Sequence, residues 1–421
     1  MKNEFPILNY PGSKRNLLNF IDEYTTSHIP KGKAFFDIFA GSGAVSYFYK
    51  DKFKVYANDS EQYSSVILNA LLKFQPKGKL SVLLEEINHF SELNKQELLS
   101  VFNKWVDKEQ ELISSYKYED IEQFYLSFPN VWKGNIVINN MEITIETLRK
   151  FPLYSLFTSY YSGNYFGVLQ SVEIDSIRYA IEKGNFSVET KNMLLSALFY
   201  AMKEAVFSKD GHMAQPLGIN NNLDRLFKRR SVSISEKFVL KVEDFYSDSF
   251  LTEDKGNKVF NYTFDELLFN NKDIFDEVGF IYADPPYTDM QYSRYFHLLN
   301  TLVDYQYPEM TVYRGSLSRG LYTENRYQSP LSQKSKAIHY HKQLFDFCKE
   351  KQIGLAFSFA YPFDPANQQT SRYVLNIFDL IEYGNNVFNG NFQYYTQDYN
   401  HSNNRNSNSK KVLEYLLLYT P

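Results

Sequence analysis

Apolar runs in residues 1–75 alternate with turns and with helical patterns. The run Ala34–Phe39 ends at the glycine turn Gly41–Gly43, where a helix begins. The run Lys54–Ala57 ends at Asn58 and Asp59, and apolar positions then recur at helical spacing. Strand, helix, strand and helix in this order predict a βαβ unit, and therefore a parallel sheet.

Strand patterns return late in the chain, after a long stretch of different character. Residues 76–239 contain charged helical patterns and loops rich in polar and aromatic residues. Further strands are predicted at Phe238–Phe245, Val278–Tyr287, Ile353–Ala360 and Glu414–Pro421. We therefore expect a discontinuous α/β domain, residues 1–75 and 240–421, interrupted by a mostly helical inserted domain, residues 76–239.

The composition is that of a globular protein whose overall charge does not point to a nucleic-acid partner. The 421 residues are 43% hydrophobic and 17% aromatic, and the formal net charge is −4, so any DNA-binding surface must be local. The single cysteine, Cys348, excludes an intrachain disulfide and a cysteine-based zinc cluster, and no metal site is expected. No apolar signal segment and no run of ~18 uncharged apolar residues is present, so we expect a cytoplasmic protein without a membrane span.

The glycine turn lies in the sequence FDIFAGSG, residues 36–43. Glycines at the carboxyl end of a parallel strand let a ligand approach the backbone. Asp59, at the end of the next strand, can accept hydrogen bonds from ribose hydroxyls. The alternative is that the glycines only permit tight packing. The turn lacks the Lys-Ser/Thr pair of a P-loop, which argues against hydrolysis of a nucleoside triphosphate.

A second turn, Asp-Pro-Pro-Tyr at residues 284–287, directly follows the apolar run VGFIY. Two prolines make this turn rigid, so the Asp284 carboxylate and the Pro285 carbonyl would be two acceptors at a fixed separation. Two acceptors suit an NH2 group, which has two donors, and Tyr287 offers a flat face for a planar ring. The turn therefore predicts a site for an exocyclic amine. The alternative is a strand terminator beside a surface tyrosine.

Five blocks make the chain resemble the Dam-like, alpha-group (D12 class) adenine-N6 DNA methyltransferases. They are NYPGSK at residues 9–14, DIFAGSG at 37–43, YANDSE at 56–61, VEDF at 242–245 and DPPY at 284–287. DPPY is the most specific of them. The resemblance implies a Rossmann-like, S-adenosylmethionine-dependent methyltransferase sheet, with target recognition in the long inserted segment. Tyr10 departs from the family pattern, which often has tryptophan or phenylalanine there.

The resemblance also implies S-adenosyl-L-methionine as the methyl donor, and it assigns roles to the matching residues. Tyr10 and Lys14 would contact the cofactor, Asp59 its ribose, and Asp244 would lie near its adenine. The implied cofactor-binding residues are Tyr10, Gly12, Lys14, Asp37, Phe39, Ala40, Gly41, Gly43, Asp59, Ser60, Asp244, Phe245 and Asp284. The implied catalytic residues are Asp284, Pro285, Pro286 and Tyr287, which would activate N6 of a flipped-out adenine and stack its ring.

Basic segments with interleaved tyrosines are candidates for DNA contacts. Residues 311–342 carry six lysines and arginines against the single acid Glu324, and such residues mainly hold phosphates. The predicted DNA-binding residues are Lys228, Arg229, Arg230, Tyr292, Arg294, Arg314, Arg319, Arg326, Lys334, Lys336 and Arg405. The alternative for each cluster is an ordinary solvated surface. The expected partner is double-stranded DNA, with a restriction endonuclease acting separately and the methyltransferase acting as a monomer.

Single residues distinguish the proposed function from other classes of methyltransferase. Methylation of cytosine C5 needs a cysteine nucleophile after a proline, and Cys348 has no adjacent proline. Cytosine-N4 enzymes usually have serine in place of Asp284, and RNA or protein-glutamine enzymes usually have asparagine, so adenine in DNA is favoured. A catalytically silent nucleic-acid-binding subunit would need neither the glycine turn nor the acid, and both are present. Affinity for the cofactor would discriminate between these classes.

Overall fold

A computed structural model describes the chain except residues 1–4, 9–11, 135, 139–140, 145, 147–153, 210, 248–249, 251–253, 325, 367 and 400–411. The strands are β1 Ala34–Asp37, β2 Val55–Asn58, β3 Ile136–Ile138, β4 Met141–Ile143, β5 Lys258–Phe260, β6 Val278–Ala283, β7 Val312–Tyr313, β8 Ser316–Leu317, β9 Gly354–Pro362, β10 Phe392–Tyr399 and β11 Val412–Tyr419.

The helices are α1 Leu18–Thr25, α2 Ala44–Tyr49, α3 Gln62–Lys73, α4 Leu80–Ser114, α5 Tyr118–Ser127, α6 Leu156–Tyr161, α7 Val168–Lys183, α8 Val188–Ala205, α9 Leu223–Arg230, α10 Ile234–Phe245, α11 His297–Asp304, α12 Lys334–Lys351 and α13 Ile377–Phe388. Short 3-10 turns lie at Arg15–Leu17, Thr26–His28, Val131–Lys133, Lys272–Glu277, Tyr292–Arg294 and Pro330–Ser332, and a π-helical turn lies at Glu266–Asn270.

Seven strands form one sheet in the order β10-β11-β9-β6-β1-β2-β5. Neighbouring strands are parallel except that β11 runs antiparallel to β9 and β10. The register pairs Asp37, at the end of β1, with Ala57 of β2 and Tyr282 of β6. The carboxyl ends of these three strands therefore meet at one edge of the sheet, where ligands of such sheets bind. The predicted α/β class with a mostly parallel sheet is confirmed.

Alternate residues of the strands bury opposite faces of the sheet. Phe35 points into the core formed with α1, α2 and α3, whereas Phe36 points into the core formed with α12 and α13. Both phenylalanines are fully buried, and burial of such a side chain contributes about 1.5–3 kcal/mol. Because helices cover both faces, the central strands have nearly continuous apolar sequences, which is why they were predictable.

The segment between β2 and β5 is mostly helical in its described residues. The 35-residue helix α4 packs along α7, and α8 packs against both α3 and α10. Leu198 of α8 belongs to the same apolar core as Ile67 and Leu68 of α3. The inserted helices therefore extend the core on one face of the sheet. The division into two domains stays a prediction, and its expected boundary at 239/240 falls inside α10.

The strand predicted at Phe238–Phe245 is wrong, because these residues belong to helix α10. Phe238, Val242 and Phe245 lie at helical spacing on one buried face, whereas Leu240 between them is 51% exposed. A short apolar run fits a strand as well as one side of a helix. The pattern therefore did not distinguish the two.

The other predicted strands are confirmed, with shifts of a few residues at their ends. The edge strands β5 and β10 were missed. None of the three residues of β5 is buried, and β10 buries little besides Phe392. An edge strand that buries few side chains has a weak apolar pattern. In the described part of the chain, no helix combines the length and the apolar character needed to cross a membrane.

Candidate active site

A cavity lies at the edge of the sheet where β1, β2 and β6 end. Its wall is formed by Gly12–Lys14, Asp37, Phe39–Ser42, Ala44, Val45, Asn58–Glu61, Tyr262, Phe264, Tyr282, Asp284–Pro286, Gln291–Ser293, Tyr327, Ser329, Leu331 and Ser332. Four of the five sequence blocks that suggested a ligand reach this wall, and VEDF does not. The fold therefore brings together residues that lie far apart in the sequence.

The glycine turn both shapes the cavity and packs against a helix. Gly41 lines the cavity with φ +52°, and its backbone N–H donates to Asp59 Oδ2 at 2.8 Å. Gly43 does not line the cavity: its φ is +77°, and a Cβ there would lie 2.8 Å from Leu71 Cδ1 of α3. Gly41 thus has the position expected of a ligand-contacting glycine, whereas Gly43 serves the tight packing of the alternative interpretation.

Two buried acids stand beside this turn, Asp37 at the end of β1 and Asp59 directly after β2. Ser46 donates to Asp37 Oδ2 at 2.7 Å, whereas Asp37 Oδ1 has no hydrogen-bond partner among the described residues. Asp59 accepts from the backbone N–H groups of Gly41 and Glu61 at 2.8 and 2.9 Å. Burial raises the pKa of Asp37 to about 7 and the pKa of Asp59 to about 6. A cationic or donor-rich ligand would favour their ionised forms.

The acid of the DPPY turn is held by a lysine from the beginning of the chain. Lys14 Nζ lies 3.1 Å from Asp284 Oδ1 and 3.0 Å from Glu414 Oε1. Glu414, on β11, is fully buried and accepts a hydrogen bond from Ser358 of β9 at 2.5 Å. Lys14 is itself only 2% exposed. The three charged groups therefore form a chain of acid, lysine and acid, in which Asp284 and Lys14 line the cavity and Glu414 lies behind them.

Lys14 counteracts the effect of burial on the pKa of Asp284. Burial raises the pKa of Asp284 above its usual range, the positive charge of Lys14 lowers it, and the negative charge of Glu414 raises it. Pro285 and Pro286 line the cavity beside Asp284. Glu414 was not predicted as a site residue, although an acid inside the apolar run of β11 is a signal that could have found it.

Tyr287 lies behind the turn rather than in the cavity wall. Its hydroxyl is so close to Gly12 that a Cβ on that glycine would lie 2.7 Å away. Lys14 Nζ lies 5.4 Å from the centre of the tyrosine ring, and Phe359 packs edge-on against it at 6.0 Å. Only 8% of Tyr287 is exposed. Its stacking on a target base stays a prediction, and Gly12 has a close-packing role against this ring.

The role predicted for Asp244 near the cofactor adenine is contradicted by its position. Asp244 is exposed on α10 and pairs with Lys241 at 2.8 Å, and it does not line the cavity. Phe245 is fully buried against other aromatic rings, including Phe250 at 4.9 Å. Both assignments came from the VEDF block of the family resemblance, and the structure places that block on helix α10, outside the cavity wall.

Tyr262 and Phe264, which follow β5, line the cavity, and the sequence did not predict them. Asn58 fixes this loop, accepting from the Tyr262 backbone N–H at 2.9 Å and donating to the Tyr262 carbonyl at 3.1 Å. The other wall residues that the sequence did not predict are Ser13, Ser42, Ala44, Val45, Asn58, Glu61, Tyr282, Gln291, Ser293, Tyr327, Ser329, Leu331 and Ser332. Tyr10 lies outside the described residues.

Arg230, predicted to contact DNA, is instead a buried structural residue. Its guanidinium donates to the Tyr125 hydroxyl at 3.0 Å and to the carbonyls of Tyr165 and Asn164 at 3.1 Å each. It is 4% exposed, so no phosphate can reach it in this structure. The basic sequence LFKRR did not show which of its residues faces inward. On the same helix, Arg229 donates to the Glu204 carbonyl.

The remaining predicted DNA-binding residues that the structure describes lie at or near the surface. Exposed side chains include Lys228, Arg294, Arg314, Arg319, Lys334 and Lys336, while Arg326 is partly buried and Tyr292 lines the cavity. Lys334 donates to the Ser371 carbonyl. Arg405 lies outside the described residues. Within the described ranges, no group of three or more His, Cys, Asp and Glu side chains could hold a metal ion.

Comparison with known proteins finds similarity to two modification methylases and a type II methyltransferase. The chain is 25% identical over 345 residues to the modification methylase LlaI of Lactococcus lactis subsp. lactis, covering 80% of this chain and 44% of that protein. It is 23% identical over 304 residues to the modification methylase StsI of Streptococcus sanguinis, covering 72% and 37%. It is 23% identical over 354 residues to the type II methyltransferase M.FokI of Planomicrobium okeanokoites, covering 83% and 42%. Each match thus covers less than half of the relative.

The family comparison agrees with the site. Residues 10–345 match the D12 class N6 adenine-specific DNA methyltransferases. This range contains the glycine turn, Asp59 and the DPPY turn, which are the residues that the fold gathers around one cavity. The chain is therefore a member of the D12 class of N6 adenine-specific DNA methyltransferases.

Proposed function

We propose that this protein transfers a methyl group from S-adenosyl-L-methionine to N6 of an adenine in double-stranded DNA. One observation carries the proposal: Asp284, on a turn stiffened by two prolines, faces a cavity that also contains the glycine turn, and Lys14 holds its carboxylate. An ionised acid on a rigid turn is what the recognition of an exocyclic amine requires. Membership of the D12 class supports both the reaction and the target atom.

The residues of the cavity fit S-adenosylmethionine. Asp37 Oδ1 is a buried acceptor without a partner among the described residues, which suits the amino group of the methionine part. Asp59 would accept from the ribose hydroxyls, and Gly41 leaves room for the ligand at the backbone. Tyr262 and Phe264 offer ring faces to the cofactor's adenine. When bound, the cofactor supplies an electrophilic methyl group on a sulfonium.

Asp284 and Pro285 would prepare the target amine. The lone pair of adenine N6 is delocalised into the ring and is a poor nucleophile. A carboxylate and a carbonyl that accept the two N6 hydrogens would localise the lone pair and aim it, and orientation alone can supply ~7–11 kcal/mol. Lys14 favours the ionised form of Asp284 before the reaction, and the carboxylate is placed to take the proton that N6 then loses.

The target adenine would have to leave the duplex, because a base stacked inside the duplex could not bring its N6 to Asp284 in the cavity wall. Flipping costs a few kcal/mol, and stacking in the site offsets part of that cost. Tyr292 lines the cavity shortly after the DPPY turn and is the proposed stacking surface. The inserted segment, residues 76–239, would read the sequence around the target.

The biological role follows from the names of the relatives. Two of them are called modification methylases and the third a type II methyltransferase. We infer that this protein likewise marks one short DNA sequence, as the methylating counterpart of a restriction endonuclease that acts separately. Because the matches cover less than half of each relative, the activity is proposed from the site in this chain.

Long-read sequencing that detects modified bases tests the proposal directly. DNA from cells that express the protein is compared with DNA from cells that express Asp284→Ala. We expect N6-methyladenine at one short motif in the first sample only, while the variant still binds S-adenosylmethionine. A variant with near-normal methylation would refute the role of Asp284, and N4-methylcytosine would refute the proposed target base.

A further inference from the structure

We propose that Glu61 is a further cofactor-binding residue, which accepts a hydrogen bond from one ribose hydroxyl of S-adenosylmethionine while Asp59 accepts from the other. Glu61 lies two residues after Asp59, is only 5% exposed, and lines the same cavity. The inference rests on the proposed function and adds a residue that the sequence did not predict. A ribose held at both hydroxyls has one orientation in the site, which fixes the adenosine part.

The two carboxylate oxygens of Asp59 already hold the backbone around the glycine turn. Oδ2 accepts from the Gly41 N–H at 2.8 Å, and Oδ1 accepts from the Glu61 N–H at 2.9 Å. A carboxylate oxygen can accept a second hydrogen bond, so Asp59 keeps capacity for a hydroxyl. The ribose brings two neighbouring donors, and a second carboxylate beside Asp59 gives each of them a charged acceptor.

Glu61 has one oxygen held in place and one available to a ligand. Asn300 of α11 donates from Nδ2 to Glu61 Oε2 at 2.7 Å. Asn300 Oδ1 accepts from the Tyr63 N–H at 3.0 Å, which fixes the orientation of this amide. Among the described residues, none donates a hydrogen bond to Glu61 Oε1. Because Glu61 lines the cavity and Asn300 does not, the side chain is a preoriented acceptor in the cavity wall.

Glu61 fills none of the structural roles that are common for a buried acid. It directly precedes helix α3, yet its side chain accepts no hydrogen bond from the first turn of that helix. Burial and the nearby Asp59 raise its pKa to about 7, whereas Asn300 and Arg326 lower it. No ion pair joins Glu61 to any described lysine or arginine. A ligand that donates to the carboxylate would offset the cost of burying it.

The position of Glu61 in the wall selects the ribose among the donor groups of the cofactor. Asp37, with its unpartnered Oδ1, is proposed for the amino group of the methionine part. Tyr262 and Phe264 are proposed for the adenine ring. Glu61 donates its own backbone N–H to Asp59, the acid proposed for the ribose. The ribose is therefore the part of the cofactor that both acids can reach.

Binding of S-adenosyl-L-homocysteine without DNA, measured by calorimetry, tests the proposal. The probes are this ligand and its 2′-deoxy and 3′-deoxy forms. With the wild type, we expect each missing hydroxyl to weaken binding about tenfold, the usual effect of losing a hydrogen bond to a charged group. Glu61→Met, which cannot accept such a bond, should weaken binding of the complete ligand by a similar factor. In this variant, one deoxy ligand should lose nothing further, and the other should keep its full effect.

Two further variants make the result specific. Glu61→Gln has the same size, and its carbonyl can still accept from Asn300, so the result does not depend on how Glu61→Met folds. It should bind the complete ligand more weakly than the wild type and show a smaller effect of the same deoxy ligand. Asp304→Asn is the matched control, because it removes one exposed negative charge at the end of α11, outside the cavity wall. It should bind all three ligands as the wild type does.

The dependence of binding on each hydroxyl decides between a ligand contact and a structural role. If both deoxy ligands keep their full effect in Glu61→Met and Glu61→Gln, Glu61 does not contact the ribose and the proposal is wrong. Variants that melt at lower temperature but distinguish the ligands as the wild type does would make Glu61 a structural residue. A wild-type protein that binds none of the ligands would remove the proposed function as well, whereas normal binding without this coupling would remove only the inference.

Discussion

Lys14 links two buried acids, Asp284 and Glu414. The charges of Lys14 and Glu414 shift the pKa of Asp284 in opposite directions. The ammonium of Lys14 lies between Asp284 of the DPPY turn and Glu414 of β11, at 3.1 and 3.0 Å. A buried lysine with one carboxylate would pair with it fully and leave it a weaker acceptor. Because Glu414 shares the lysine, the Asp284 carboxylate can still accept hydrogen bonds from an amine. We therefore predict a positioning role for Glu414, which would act through Lys14.

Replacing Glu414 by glutamine tests this role. Loss of the buried negative charge should lower the pKa of Asp284, because Glu414 raises it, so the acid limb of the methyl-transfer rate should move to lower pH. The loosened Lys14 should also reduce kcat about ten- to a hundredfold, since small misplacements at a reacting group have effects of this size. Rate against pH at saturating DNA and cofactor measures both effects.

The matched control for this substitution is Ser358→Ala. It removes the hydrogen bond to Glu414 but keeps the charge of that residue. We expect a smaller loss of kcat and no movement of the acid limb. If Glu414→Gln lowers kcat while the pH profile stays where it is, Glu414 only supports the fold and its electrostatic role is wrong.

A residue of the site could be predicted from the sequence only when its partners lie close to it along the chain. Asp284 was found because its neighbours in the chain already describe its chemistry. Glu414 was missed because its partner Lys14 lies 400 residues away, and no local pattern records that contact. Arg230 misled for the same reason: its acceptors, Tyr125 among them, are brought to it only by the fold.

Among the elements, the turn between β1 and α2 connects the sheet to the cavity most directly. Gly43 there has φ +77° and lies against Leu71 and Leu68 of α3. Alanine at this position would be strained twice, by the left-handed backbone and by contact with those side chains. We expect Gly43→Ala to lower the free energy of unfolding by about 2–4 kcal/mol and to weaken cofactor binding, as measured by thermal melting and calorimetry.

Gly78 supplies the control for this turn, because it has φ +83° and a Cβ added there would meet no atom of the described residues within 4 Å. Gly78→Ala therefore carries only the backbone strain, of about 1 kcal/mol. It should melt slightly lower than the wild type and bind the cofactor normally. Equal losses of stability in the two variants would show that the contact with α3 is unimportant.

Strands were predictable from the sequence where both of their faces are buried. β1 and β6 are covered on both faces, so their apolar runs could hardly be anything but central strands. Helix α10 was mistaken for a strand because its middle, FVL at residues 238–240, is continuously apolar although Leu240 is exposed. β5 is too short and too exposed to leave a pattern, and with it the loop carrying Tyr262 and Phe264 was lost.

At the scale of the whole molecule, the cavity brings together several buried acids. Their ionised forms destabilise the folded state, and interactions elsewhere in the protein must compensate. Asp37, Asp59, Glu61 and Asp284 all line it, and burial raises the pKa of each. An acid whose pKa is higher in the folded state than in the unfolded state destabilises the fold once it is ionised. The apolar cores on both faces of the sheet offset this cost, and a cationic ligand would relieve it. The binding site is therefore a place where stability is given up for function.

Asp37→Asn tests this trade-off. Burial raises the pKa of Asp37 to about 7, so its ionised form should destabilise the wild type increasingly from about pH 4 to pH 7, by at most about 1.4 kcal/mol per pH unit, and constantly above that. The variant should therefore melt higher than the wild type above pH 7, lose this advantage toward pH 4, and bind S-adenosylmethionine poorly.

Asp175→Asn is the matched control, because Asp175 is equally buried but accepts from Phe157, Thr158 and Tyr305. It should be destabilising at every pH, since an amide cannot accept all of these bonds. A variant at position 37 that melts below the wild type at high pH would show that the carboxylate stabilises the fold, contrary to the argument from burial.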